Sequence, residues 1–568
     1  MKNLIYFLKF EKKSKIIYLI FLLLFGTSLD LFGLSMIVPL INVVANFDKL
    51  QNIISNYNIL APLYNFNQTE LIILFLVFFL IINVFKGIVF VYLNWKTNQF
   101  SKDINLKMSE KLIDHYSKIK YEEMINKSSG TLIRNISEEI LGVSNSVLNL
   151  LNLFVELVVI FFIFSFVLIV EPNGLLIITF FLISGLYIFR KILTKKLILW
   201  GENRQKYFLK RISNISELFH SYPELKLLNK INFFGALYLK YNNNYYTNQI
   251  KYNVAQIVPR FLIESLAVLG LMFALIYLII IENNQEQILY SLAILGASAL
   301  RVLPTMSRII NYYNSLKFST ASIDLIKDEL ESLQKEDVIQ ENQFSLNFSK
   351  NILLKNLSYK YSNKDLNILN NINLEIFKNE IIGIKGITGS GKSTLLKIIL
   401  GLLKPNNGEI LVDGIDIHKK KYIDSWYTKV AYVPQNIYLL NDSIKKNVLL
   451  GVNIENENNE NYKKALKVSL SDEFINKIKN LDQTIVGENG IKLSGGQKQR
   501  LGIARALYQK KEILILDEAT NSLDEETEKK ILDGILKMQN KPTIIFVSHK
   551  SANFDICDKI IDISKINS

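Results

Sequence analysis

Gly386-Ile387-Thr388-Gly389-Ser390-Gly391-Lys392-Ser393 fits the pattern G-x-x-x-x-G-K-[ST]. Glycines at Gly386, Gly389 and Gly391 let successive backbone N–H groups turn towards one oxyanion. Hydroxyls at Thr388, Ser390 and Thr394 surround that loop. Lys392 supplies a positive charge for β/γ-phosphates, and the Ser393 hydroxyl suits a hard cation such as Mg2+. The chemistry is that of holding a nucleoside triphosphate. Further along, Ile513-Leu514-Ile515-Leu516-Asp517-Glu518 is four apolar residues followed by two carboxylates. A buried strand of that kind delivers Asp517 beside the metal and leaves Glu518 to orient and polarise an attacking water.

These groups need a particular scaffold. Ile381-Ile382-Gly383-Ile384-Lys385 reads as a buried strand feeding the glycine loop, and Ser393–Leu400 begins a helix. The helix N-terminus adds a field that favours anions. From Phe344 onward short β-rich runs, among them Val430–Val433, alternate with helical patterns, so 344–568 reads as an α/β domain with a mainly parallel central sheet. A polar, charged stretch, 327–343, reads as a linker to the preceding 326 residues.

Those residues are of another class. The 568-residue chain is 49% apolar with positive mean hydropathy, and Phe (34) and Tyr (27) are abundant. Six segments hold about 20 or more mostly apolar residues, enough to span a bilayer. They are Ile16–Val44, Leu71–Trp95, Leu148–Val170, Leu175–Ile192, Val254–Ile281 and Ile288–Ile310. The first is too long for the apolar part of a cleaved signal peptide. The first, third and fifth links between spans carry one basic residue, Lys49, whereas the second and fourth are long and rich in Lys and Arg. The positive-inside rule puts the long links and both chain ends in the cytoplasm. Their helical patterns, 96–118 and 195–219, continue the spans outward, with turns near Tyr121–Gly130 and Ser221–Pro223 as natural contacts for an ATPase. The first 12 residues alternate apolar and basic types, with Leu4, Ile5, Phe7 and Leu8 expected on the lipid face of an interfacial helix. The net charge of +14 is accounted for by topology, and no nucleic-acid motif accompanies it. A single cysteine, Cys557, excludes an intramolecular disulfide.

Leu493-Ser494-Gly495-Gly496-Gln497, about 100 residues after the glycine loop, carries a resemblance. This sequence after a phosphate loop is the signature of ATP-binding-cassette (ABC) ATPases, and the chain resembles ABC exporters over its six spans and one ATPase. The resemblance implies further roles. Asp517 and Glu518 match the Walker B pair, and Gln435 in Tyr432-Val433-Pro434-Gln435 matches the glutamine that reaches Mg2+. Ser522-Leu523-Asp524 matches the D-loop, His549 the switch histidine at the γ-phosphate, and Tyr361 the aromatic that stacks on adenine, with Tyr359 a neighbouring candidate. Thr484–Gly490 resembles an exporter loop in which Ile485 stands where an acid is usual. Ser494, Gly495, Gly496, Gln497 and Asp524 join the nucleotide set. ATP is sandwiched in this family between the phosphate loop of one domain and the signature of another, so one ATPase per chain implies a homodimer with two composite sites.

The spans contain ionisable residues, which are costly in lipid and point to function. Lys86, Arg260, Arg301 and Arg308 are the candidates for substrate. Arg260 can also pair with Glu264 four residues on, and Arg301 and Arg308 share a helix face. Arginine suits phosphate or pyrophosphate. Gly33–Pro39, Val258-Pro259-Arg260 and Leu300–Ile310 resemble exporters that flip polyprenyl-pyrophosphate-linked oligosaccharides in bacterial protein glycosylation. The resemblance therefore implies an ATP-driven flippase of an anionic, lipid-linked substrate in a bacterial inner membrane. A lipid A-type or multidrug exporter and an ATP-gated channel or regulator are the alternatives.

Overall fold

The computed structural model describes residues 2–35, 67–170, 172–281, 285–335, 345–361, 366–419, 422–453, 455, 457–548 and 551–566. Two units divide the chain: 1–119 with 124–337, and 120–123 with 338–568.

The first unit is helical. Its helices are α1 (Lys2–Leu8), α2 (Lys13–Ser35), α3 (Gln68–Lys118), α4 (Tyr121–Asn126), of which residues 121–123 fall in the second unit, α5 (Ser129–Arg134), α6 (Ile140–Val170), α7 (Pro172–His220), α8 (Tyr222–Leu227), α9 (Ile231–Ile281), α10 (Gln285–Phe318) and α11 (Thr320–Lys335). The longest, α3 and α9, have 51 residues each, about 75 Å at 1.5 Å per residue, whereas crossing hydrocarbon takes about 20 residues. The helices thus continue well past their apolar spans, and α4 and α8 fall at the two expected turns. Among the described residues, 68–118, 129–165 and 231–280 are helical, long and apolar enough to cross a membrane. The expected first span runs beyond Ser35, outside the described residues.

Polar rungs join α6 to α10 and α11. Asn149 Nδ2 donates to Ser315 Oγ at 2.8 Å. Arg308 grips Glu156 through Nε at 2.6 Å and Nη2 at 3.2 Å, and Nη2 also donates to Thr305 at 3.3 Å. A Cβ on Gly142 would lie 3.3 Å from Ser322 Oγ. The positions rise by seven along α6 as they fall by seven along its partners, as antiparallel helices in heptad register require. Beside this seam, buried Arg204 of α7 donates to Glu139 Oε2 at 3.3 Å and to Ser322 Oγ at 3.0 Å. Glu139 closes a π-helical turn, Asn135–Glu139, between α5 and α6.

Two expectations are corrected here. α1 does not turn its apolar side to lipid: Leu4 and Phe7 are buried in a core with Phe100, Ile104, Val143, Ile323 and Ile326, and Ile5 is exposed. The reason is α11, whose buried Ile323, Ile326 and Leu330 offer an apolar stripe and whose Asp324 accepts a 2.7 Å hydrogen bond from Asn3. The same stripe keeps 327–335 helical, so the expected linker begins inside a helix.

The second unit has two sheets. Strands β1 (Asn351–Tyr359), β2 (Leu369–Phe377), β4 (Asn407–Val412) and β5 (Ile415–Asp416) form one, in the order β2-β1-β4-β5 and with antiparallel pairing. Strands β3 (Ile381–Lys385), β6 (Val430–Val433), β7 (Ile513–Asp517), β8 (Thr543–Val547) and β9 (Lys559–Asp562) form the other, parallel, in the order β6-β7-β8-β3-β9. The antiparallel sheet is an addition to the expected parallel one. Every residue of β7 and β8 is buried, which explains their unbroken apolar runs: central parallel strands are covered on both faces. The helices are α12 (Lys392–Ile399), α13 (Ile423–Tyr427), α14 (Ile444–Leu449), α15 (Asn459–Val468), α16 (Ser471–Ile475), α17 (Gly495–Tyr508), α18 (Glu525–Leu536) and α19 (Ile563–Ile566). Burial pushes the Cys557 thiol up to about 11, so it stays protonated and inert.

Candidate functional site

In an open parallel sheet, ligands bind beyond the carboxyl ends of the strands. The strand order does this work here. The glycine loop leaves β3, Asp517 ends β7 with Glu518 just past it, and Gln435 lies two residues beyond β6. Strand β8 runs between the first two; His549, two residues past its end in sequence, lies outside the described residues.

The loop is shaped by its glycines. Gly391, the N-cap of α12, has φ 97°, a left-handed backbone that only glycine adopts without strain. Lys392 is buried, and its Nζ donates to the carbonyls of Gly386 at 2.7 Å and Ile387 at 3.0 Å. Ser390 Oγ is buried without a hydrogen-bond partner among the described residues, a donor suited to a phosphate oxygen. Ser393 is exposed at the first turn of α12, and Thr394 Oγ1 lies 3.5 Å from the Tyr361 hydroxyl. Thr388 and Gly389 are exposed in the loop.

Asp517 is buried and accepts a hydrogen bond from the Tyr432 hydroxyl at 3.1 Å. Burial raises its carboxyl above the usual range; the Tyr432 bond opposes this and the charge of Glu518 adds to it. A carboxylate paying that cost is poised for a cation. The acceptors present, Ser393, Asp517 and the Gln435 amide, are all hard oxygens, which fit Mg2+. Glu518 has φ 51°. Its Oε2 accepts from Gln435 Nε2 at 2.7 Å and Asn521 Nδ2 at 2.9 Å. Sequence reasoning did not single out Tyr432, Asn521 or Gln499, whose Oε1 accepts from Ser522 N at 2.8 Å.

Tyr359 is excluded as the aromatic platform. It is buried, its ring packs edge-on to Tyr361 at 5.0 Å, and its hydroxyl is bonded to Glu122 of the 120–123 segment that belongs to this unit. Tyr361 is half-buried at the rim of that core.

The signature is a capping box. Ser494 caps α17 by accepting from Gln497 N at 3.3 Å, while Gln497 Oε1 accepts from Ser494 N at 2.9 Å. A Cβ on Gly496 would come within 3.1 Å of Ser522 O, so glycine there admits the 522–524 loop. Asp524 caps α18, accepting from Thr527 N at 2.8 Å. Its role within this chain is thus a helix cap, and the backbone N–H holds its carboxyl below the usual range.

The basic residues of the spans fare differently from one another. Arg260 pairs with Glu264 at 2.9 Å. Arg308 is held by Glu156, whose side chain is buried. Lys86 is half-buried on α3, and Arg301 stands seven residues before Arg308 on α10 with its side chain outside the described residues.

Residues 16–302 match the family of the ABC transporter transmembrane region, and residues 369–521 match the ABC transporter ATPase family. This chain belongs to the ABC transporters. The nucleotide of that ATPase domain is ATP with Mg2+, in agreement with the donors just described. The ABC chain is 36% identical over 236 residues to an export ATP-binding/permease protein of Rickettsia typhi, covering 41% of this chain and 40% of that one. It is 31% identical over 304 residues to the ATP-dependent lipid A-core flippases of Shigella sonnei and Escherichia coli K12, covering 53% of this chain and 50% of theirs. The chain thus spans about half the length of the curated relatives it matches. A bacterial Atm1-family ABC exporter solved with ATP bound superposes with a TM-score of 0.80 over 97% of this chain and 93% of that one, at 20% identity, a likeness of fold.

Proposed function

We propose that this chain is a half-transporter that hydrolyses ATP to move a lipid-linked anionic amphiphile across a bacterial inner membrane as a homodimer, with the ATPase unit and both chain ends cytoplasmic. The observation that carries the ATPase reading is the convergence of Asp517, Glu518 and Gln435 on the strand ends beside the glycine loop. A bound Mg2+·ATP supplies the phosphoanhydride and the charge that stabilises its cleavage. Lys392, Ser390 and the loop amides orient the phosphates, Asp517 and Ser393 hold the cation, Tyr361 backs the adenine, and Glu518 accepts a hydrogen bond from the attacking water. Closure of two such units around two nucleotides turns the membrane cavity outward, and hydrolysis resets it.

For the cargo, the reading is a polyprenyl-pyrophosphate-linked oligosaccharide or polysaccharide precursor. Phosphorylated lipid A is the second reading, favoured by the flippases at 31% identity. Both present phosphate on a lipid anchor. Arg308 and Arg260 have carboxylate partners; of the other two candidates, Lys86 and Arg301, we take Arg301, for its guanidinium, as the residue on which to test an anionic headgroup. The test is ATPase activity of the purified chain in liposomes. Polyprenyl-pyrophosphate oligosaccharide is expected to raise the rate severalfold, and Arg301→Ala to lose that rise while keeping basal turnover. A rise with lipid A alone transfers the cargo to the second reading.

A further inference from the structure

We infer that Asn521 is a positioning residue for Glu518, an inference that rests on the ATPase reading above. Glu518 sits at an awkward point of the chain. Its left-handed backbone, φ 51°, is strained for a residue with a Cβ, and something must hold it there. Its N–H donates to Val547 O at 3.1 Å, tying it to β8. Asn521 ties the other side twice. Its own N–H donates to Glu518 O at 3.2 Å, closing a four-residue turn, and its Nδ2 donates to Glu518 Oε2 at 2.9 Å.

Among the described residues a further donor to the same oxygen is Gln435 Nε2 at 2.7 Å. The two differ in how they are anchored. Gln435 sits in an irregular segment after β6, and Pro434–Leu440 carries no helix or strand. Asn521 sits in a turn closed on Glu518 itself and stabilised further by Leu523 N to Thr520 O at 3.0 Å and Ser522 N to Gln499 Oε1 at 2.8 Å. A carboxylate held by one donor can still pivot about that bond. Two donors on separate segments fix where the oxygen lies. Gln435 would also serve the cation, whereas among the described residues the hydrogen bonds of Asn521 go to Glu518. Asn521 therefore keeps the carboxylate aimed through any movement of the Gln435 segment, and an ångström of drift at such a group costs up to about 100-fold in rate.

The experiment uses the full-length protein in liposomes, with turnover and KM for Mg2+·ATP and the affinity for Mg2+·AMP-PNP measured for each variant. Asn521→Ala is expected to lower kcat about tenfold to 100-fold, with KM and AMP-PNP affinity within about twofold because the phosphate loop is untouched. Asn521→Asp keeps the shape but offers no donor and adds a like charge; it is expected to be at least as slow as Asn521→Ala. On a Glu518→Gln background, Asn521→Ala is expected to cost less than about twofold more, since its effect runs through Glu518. If Asn521→Ala or Asn521→Asp turns over at the wild-type rate while Glu518→Gln falls to a small, measurable residual rate, the inference is overturned alone. If the loss appears undiminished on Glu518→Gln, Asn521 is structural and the inference is likewise overturned. If Glu518→Gln itself keeps the wild-type rate, the ATPase reading of Glu518 falls, and this inference with it.

Discussion

At the scale of single residues, the ATP site spends stability on readiness. Asp517 is buried and its carboxyl is raised from the ordinary 3.8. A raised carboxylate contributes its full stability below the unfolded value, and this is lost as pH rises through the folded one. Asp517→Asn should therefore melt a few degrees higher than wild type at pH 7.5 without nucleotide, the gap closing towards pH 4, while Mg2+-dependent ATP binding is lost. A variant that melts no higher at pH 7.5 would contradict this view of Asp517. The linear motifs made most of the site legible, because G-x-x-x-x-G-K-[ST] and L-S-G-G-Q encode local shapes, a phosphate loop and a capping box. Tyr432 was not legible, since its bond to Asp517 depends on β6 pairing with β7 in the register Tyr432↔Ile515. Asn521 is only three residues from Glu518, but its contact needs the left-handed backbone at Glu518, which no composition announces.

Among the elements, the α6–α10 seam shows why an arginine in a span is ambiguous from sequence. Arg308 and Glu156 are 152 residues apart and meet only because two helices run antiparallel in heptad register. Glu156→Ala should lower the stability of the protein in detergent by roughly 2 kcal/mol, less than the full cost of an orphaned buried charge because the Arg308 side chain is 37% exposed. The exchanged pair Glu156→Arg/Arg308→Glu should recover most of that loss. Unaltered stability in Glu156→Ala would show that the pair is dispensable. Helix positions and the parallel sheet followed from periodicity and apolar runs. The docking of α1 did not, because an amphipathic helix has the same pattern whether its apolar side meets lipid or, as here, the stripe of α11. The antiparallel sheet was equally hidden: β1 and β2 carry bulges and polar residues that break simple alternation.

For the whole molecule, one chain joins a helical unit, whose longest helices of 51 residues exceed the roughly 20 that cross hydrocarbon, to an ATPase unit carrying one glycine loop and one signature. That inventory was legible because membrane spans and ATPase motifs are both strong, local signals. The cargo is the least legible part: whether a basic residue of a span is paired is a tertiary fact, as Arg308–Glu156 and Arg260–Glu264 show. The measurement that bears most directly on ATP-driven flipping is outward movement of a fluorescent polyprenyl-pyrophosphate oligosaccharide in proteoliposomes, followed with Mg2+·ATP for wild type and Glu518→Gln. Movement that needs ATP and stops in Glu518→Gln is the expected result. Equal movement in both, or without ATP, would contradict the account.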